Sequence, residues 1–224
     1  MSTSSTRTTV EGVAEPAANR GARRRARTRA RLIEAARVLI ARQGVDSMRI
    51  NEITEEADVG FGSFYNHFSS KDELVEAVLA ETLHAQGEAV DALTRDLEDP
   101  AEVVAVAHRY FVDLARTDPD WAWLLVRLDS THRIGVDALG PFAMRDLTRG
   151  LEAKRFDLPD ATIAMHATGG ALLAVMRAVL EGSVGDDAGE LHAAGVLRML
   201  GVEPAEAAEV ASRPLPAGTP EPEG

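Results

Sequence analysis

Ten arginines lie between residues 20 and 49, opposed there only by Glu34 and Asp46. Guanidinium groups at that density displace counterions from a phosphate backbone. Arg23, Arg24, Arg25 and Arg27 are the densest part of the run. Taken alone, such a run also describes a solvated basic tail. The residues C-terminal to the run separate the two readings. Tyr65, His67 and Lys71 place a hydroxyl, an imidazole and an ammonium at neighbouring positions, a set suited to holding a phosphate backbone. Gly60, Phe61, Ser63, Asn66 and His67 are candidates for the face turned to DNA, while Phe64 and Phe68 are expected to fill the interior.

These groups need short helices to position them, and the hydrophobic spacing supplies them. Leu32, Ala35, Ala36, Leu39 and Ile40 recur at helical intervals between about Arg25 and Arg42, and Gly44 ends the pattern. Ile50, Ile53 and Ala57 form one face of a second helix, and a break at Asp58, Val59 and Gly60 leads into a third from Phe61 to Phe68. Ser70 followed by Glu73 reads as a capping box that opens a fourth helix through Leu74, Val75, Val78 and Leu79. Short second and third helices across a tight turn have the geometry of a helix-turn-helix, whose latter helix enters the major groove. A generic bundle with a short third helix has the same periodicity.

The run LIEAARVLIARQGVDSMRINEITEEADVGFGSFYNHFSSKDELVEAVL, residues 32–79, resembles the DNA-binding domain of the TetR family of bacterial transcriptional regulators. Ala36, Gly44, Ile53, Ala57, Val59, Gly62, Tyr65, His67, Phe68, Lys71 and Leu74 stand where that pattern has like residues. The resemblance implies that Tyr65, His67 and Lys71 touch phosphates. The sequence also departs from the pattern. Met48 and Arg49 replace hydroxyl residues, so the cap of the second helix is lost or moves to Ser47, and Arg49 is a substitute phosphate ligand. Asp58 replaces the turn glycine. Gly60 and Phe61 replace a serine and a lysine, leaving Phe61 either to meet a thymine methyl or to pack inside the protein.

Charge divides the chain in the same way. Residues 1–78 carry 12 basic and 11 acidic side chains, whereas residues 79–224 carry 12 and 25. We expect an all-α protein with a basic-ended tail at 1–24, a helix-turn-helix domain at 25–78, a helical ligand-binding and dimerisation domain at 79–212, and a flexible tail at 213–224. Helical patterns cover about 101–117, 120–130, 160–181 and 188–200, separated by TDPD, a Gly/Pro-bearing segment at 135–141, and GSVGDD. The segment 160–181 is rich in small residues, including Ala167, Gly170, Ala171 and Ala174, which permit close helix approach. With 188–200, bearing Leu191, Ala194, Leu197 and Leu200, it forms either a homodimer interface or monomer core; the resemblance implies the interface, through the last two long helices.

The resemblance also implies a small-molecule effector pocket between these regions. Tyr110, Phe111, Trp121, Trp123, Leu124, Arg127, Phe142, Met144 and Met165 are its candidates by composition, each aromatic being equally a core residue. Arg127 is either an anchor for an anionic effector or one side of a surface ion pair. Other chemistry finds little support. The absence of cysteine removes disulfides and thiolate sites, and the histidines, among them His84, His108, His132, His166 and His192, lack metal-ligand spacing. No Walker loop, dinucleotide fingerprint or nucleophile elbow occurs, so no cofactor is expected and an enzyme is not favoured. No run approaches about 18 uninterrupted apolar residues and no signal peptide opens the chain, which points to a cytoplasmic protein without a membrane segment. The expected function is a dimeric, sequence-specific regulator of double-stranded DNA, a repressor released from a palindromic operator by an effector. The alternatives are a ligand-independent regulator or activator, and, from another class, a protein-sequestering dimer or a helical enzyme.

Overall fold

The computed structural model describes residues 17–127 and 131–219, with side chains described for 21–126 and 133–219. Ten helices, and no strand, occur among the described residues. The first, α1 (Ala17–Ser47), begins several residues before the expected start, so the arginine run is helical rather than part of a tail. Its regular path breaks at Gly44, whose φ of 75° lies in the left-handed region that a side chain disfavours. Helices α2 (Ile50–Glu56) and α3 (Phe61–Tyr65) follow, the latter shorter than its predicted span because residues 66 and 67 form a turn.

Two local devices differ from the sequence expectation. The cap of α2 does not move to Ser47: a guanidinium has no acceptor, and the Glu52 carboxylate instead accepts the Arg49 backbone N–H at 2.9 Å. At the start of α4 (Lys71–Thr94), Ser70 accepts from the Glu73 N–H as expected, but the Glu73 carboxylate reaches one residue further back, taking both the N–H and the hydroxyl of Ser69 at 2.7 Å. Asp58 does occupy the turn glycine's place, at φ 49°, and Arg31 holds it through its carbonyl and carboxylate.

The remaining helices are α5 (Pro100–Thr117), α6 (Pro119–Arg127), α7 (Thr131–Glu152), α8 (Ala161–Leu180), α9 (Ala188–Met199) and α10 (Pro204–Ala211). The sequence predicts a break at 135–141, yet α7 runs through Gly135, Gly140 and Pro141. Packing against α4 and α8 outweighs the local propensity, because α7 buries Ile134, Ala138 and Leu147 there. The close approach of α4 and α7 centres on Gly87, where an added Cβ would stand 2.8 Å from the Phe142 ring. Helix α10, unforeseen as a helix, packs Ala207, Val210 and Ala211 onto α5 and α9.

One hydrophobic core runs from Leu32, Ile53 and Phe64 through Leu74 and Leu83 to Phe111 and Met176. A second surrounds Phe156, Leu197 and Leu200. Helix α8 has a mean hydropathy of 1.5 over its most apolar window, only 17% of which is buried. By length and composition alone it is apolar enough to cross a membrane, although one face packs on α5, α6 and α7.

A polar pair joins α5 to α9: His108 Nδ1 and His192 Nε2 are 3.0 Å apart. Burial, reinforced by the neighbouring His192, pushes His108 down to about 3, and burial lowers His192 as well. Both rings are therefore neutral in the folded protein at neutral pH, whereas the unfolded chain's histidines take up protons near pH 6.5. Stability contributed by this difference is complete above the unfolded value and declines as pH falls. Denaturant unfolding between pH 7 and pH 5 should lose up to about 1.4 kcal/mol per pH unit for each proton taken up on unfolding. A variant carrying both His108→Leu and His192→Leu should show a shallower loss.

Candidate nucleic-acid interface and effector cavity

At the reading head the fold separates the aromatic residues of α3. Phe64 is fully buried, and Phe68 nearly so, as expected. Phe61 and Tyr65 are each 54% exposed and meet edge-on with ring centroids 5.8 Å apart. Phe61 thus stands outside the core, which settles the packing alternative against burial. Gly60 caps α3 without a side chain, leaving the first N–H groups of the helix uncovered by a hydroxyl. Ser63 is half-buried; Asn66, the C-cap residue, is exposed, and its carbonyl accepts from Arg25 at 3.1 Å.

The arginines of α1 divide by partner. Arg25 reaches the end of α3, Arg29 pairs with Glu81 at 3.1 Å and lies over the Phe68 ring, and Arg31 braces the turn at Asp58. Arg37 and Arg42 pair with Glu34 and Glu56. Arg23, Arg24 and Arg27 are exposed on the N-terminal part of α1, and Arg49 is exposed at the start of α2. Surface pairs of this kind contribute little to stability and give way readily to a phosphate.

Two phosphate candidates have additional constraints. Burial, with Arg25 and Arg29 nearby, lowers the half-buried His67 imidazole from its ordinary value. Lys71 is drawn inward, donating from Nζ to the carbonyls of Val45 at 3.0 Å and Met48 at 3.3 Å. Those carbonyls lie just past the break at Gly44, and the ammonium fastens the α1–α2 connection to the start of α4. In this conformation its ammonium is committed to the protein.

The larger helical domain contains a partly open cavity of about 160 Å³ between α4, α5, α6, α7 and α8. Leu83, Phe111, Leu139, Met165, Leu172 and Met176 supply much of its wall. Of the nine sequence candidates, Phe111 and Met165 line it. Tyr110 and Trp121 are core residues, the latter with a buried indole N–H that has no partner among the described residues. Trp123 and Leu124 pack against the same core, and Met144 lies against the second one. Phe142 is turned instead toward Gly87, His84 and Arg145. The Arg127 side chain lies outside the described residues.

Sequence reasoning missed several wall residues. Val136, Leu139 and Ala143 lie on α7, within or beside the predicted break, and Leu172 and Met176 lie on α8, expected to serve pairing. His108 also lines the cavity, although sequence spacing gave no sign of its link to His192, 84 positions away. A separate polar cluster joins α4 and α7, where Arg145 meets Asp91 at 2.6 Å and Asp146 at 2.8 Å.

Residues 32–78 match the family model described as bacterial regulatory proteins, tetR family, and residues 99–213 match the one described as tetracyclin repressor-like, C-terminal domain. The crystal structure of RolR in complex with the ligand resorcinol is 42% identical, with a TM-score of 0.80, and the match covers 90% of this chain and 100% of that one. RolR without ligand is also 42% identical, with a TM-score of 0.77 and coverage of 84% and 98%. The nicotine-responsive transcriptional repressor HdnoR of Paenarthrobacter nicotinovorans is 30% identical over 120 residues, which span 54% of this chain and 56% of the relative. The match to that curated relative therefore spans only about half of its length. The two family models occupy the reading head and the cavity-bearing helices in turn, and the chain belongs to the TetR family of sequence-specific, DNA-binding transcriptional regulators.

Proposed function

We propose that the protein is a dimeric repressor, cytoplasmic and acting on a roughly palindromic operator, whose grip is released by a small aromatic effector. The observation that carries the reading is the exposed Phe61–Tyr65 face of α3 beside the exposed arginines of α1, combined in one chain with a largely apolar cavity. Phe61, Ser63 and Asn66 read base edges from the major groove, and Gly60 lets the backbone approach closely. Tyr65, His67, Arg49 and the N-terminus of α4 hold phosphates, with Lys71 able to join them by exchanging its carbonyl partners. Arg23, Arg24, Arg25 and Arg27 add attraction along the adjoining backbone.

One reading head contacts too little DNA for high specificity, so two must be joined. The outward face of α8 carries Ile163, Ala167, Gly170 and Ala174, and that of α9 carries Leu191 and Met199; all six are exposed. An added Cβ at Gly169, Gly170 or Gly195 would meet nothing within 4 Å in a single chain. Small residues there suit the close approach of a second copy's helices. The two predicted pairing helices divide their work, because Leu197 and Leu200 are fully buried in the monomer core.

The cavity's 160 Å³ compares with the roughly 150 Å³ apolar cavity known to hold a benzene ring. That size, and RolR's resorcinol complex, support a one-ring effector; HdnoR's description as a repressor supports the direction of control. Occupation of the cavity would push on α4 and thereby alter the spacing of the two heads, which makes it allosteric if the two states differ in effector affinity.

Selection from a randomised duplex pool should return a palindrome, and 1 mM resorcinol, on the order of a weak ligand's dissociation constant, should lower affinity for it. Phe61→Ala should flatten preference at one position per half-site, whereas Arg27→Ala should weaken all sequences alike and reduce the salt slope by about 1. Salt-sensitive binding without sequence preference would contradict the reading.

For pairing, analytical ultracentrifugation should find a dimer of twice the 24.0 kDa chain. The double substitution Ile163→Glu and Leu191→Glu should yield a folded monomer by circular dichroism and sedimentation, with operator affinity lost. A variant that stays dimeric would remove α8 and α9 from the interface.

A further inference from the structure

Most of the cavity wall is hydrocarbon, and this makes its polar exception informative. His108 and Thr168 are the only described lining residues with nitrogen or oxygen in the side chain. Thr168 already donates to the Met165 carbonyl of its own helix at 3.3 Å. His108 uses Nδ1 for His192, and no hydrogen bond from the described residues reaches its Nε2. A ring that lines an apolar cavity with one nitrogen committed and the other uncommitted is a recognition element for a polar substituent.

The geometry of the pair determines what His108 offers. Two neutral imidazoles that share one hydrogen bond carry one proton between Nδ1 of His108 and Nε2 of His192. If His108 donates, its Nε2 is a bare acceptor. If His192 donates, His108 carries its proton on Nε2 and offers a donor. His192 has no further hydrogen bond among the described residues to fix either arrangement, because only its contact with His108 engages the ring. The pair can therefore exchange tautomers to suit the occupant. Burial keeps both rings neutral, as this exchange requires.

We infer that His108 is the specificity-determining residue of the cavity, selecting one-ring aromatic effectors that bear a hydroxyl over their hydrocarbon counterparts, and that His192 is the positioning residue that holds its ring. This inference rests on the cavity's being the effector site. A hydroxyl donating to Nε2 draws the pair into the arrangement in which His108 donates to His192; a ligand carbonyl draws it into the other. Because His192 belongs to α9, the occupant's polarity is registered on a helix of the proposed pairing face.

The test uses phenol and toluene, which differ chiefly in the hydroxyl. Calorimetric titration of the full chain should give phenol an advantage of roughly threefold to tenfold, the range for one net hydrogen bond. His108→Leu should reduce that advantage to about one while toluene binding survives, and His192→Leu should reduce it partially. In the unsubstituted protein, ¹⁵N chemical shifts of the imidazole nitrogens should move toward the Nδ1–H form of His108 on saturation with phenol and stay in place with toluene. A phenol advantage retained by His108→Leu, or unchanged ¹⁵N shifts with phenol bound, would overturn the inference while leaving the cavity as the effector site. Failure of both probes to bind would overturn the cavity reading and the inference together.

Discussion

A single helix shared by two tasks is the constraint on which the molecule depends. Helix α4 buries Leu74, Val75, Val78 and Leu79 among the residues of the reading head, then buries Leu83, Gly87 and Val90 against the larger domain. Because one core runs without interruption along it, neither part can rotate freely on the other. Close-packed interiors shift between discrete arrangements rather than deforming smoothly. Leu83 belongs both to this core and to the cavity wall, so an occupant pressing there acts on the helix that starts, 12 residues earlier, at Lys71. Lys71 in turn fastens the connection between α1 and α2.

Electrostatics divides the labour along the same axis. Arg29 and Arg31, beside α3, are held in surface pairs of the kind that contribute little to stability, while acidic side chains outnumber basic ones in the larger domain. The cavity within the larger domain carries no charged side chain among its described lining residues. Three features thus lie along one axis: a rigid connector, a basic reading face and a nearly apolar chamber whose polar described lining residues are His108 and Thr168.

Much of the reading head was legible in the sequence because its determinants are local. Helical periodicity, the Ser70 and Glu73 capping signal, and the turn at Asp58 lie within a few residues of the structure they specify. Phe64 and Phe68 fall inside and Phe61 outside for the same reason, the phase of a short helix. The larger domain was less legible. Helix α7 contains Gly135, Gly140 and Pro141, and it is tertiary packing that keeps these residues helical. The cavity draws its wall from five helices, and the His108 to His192 contact bridges 84 positions, so no local pattern encodes either. Aromatic composition pointed to Trp121 and Trp123, but large rings here fill the core, and aliphatic residues shape the chamber.

The central claim is that filling the cavity changes the separation of two reading heads through α4. The chain has no cysteine, so Ala41→Cys, at an exposed position on α1, introduces a single spin-label site per protomer. Double electron–electron resonance would then measure the distance between the two heads of the dimer with and without resorcinol. The account predicts a shifted distance distribution at the resorcinol concentration that weakens operator binding. An unchanged distribution while the operator is released would contradict it.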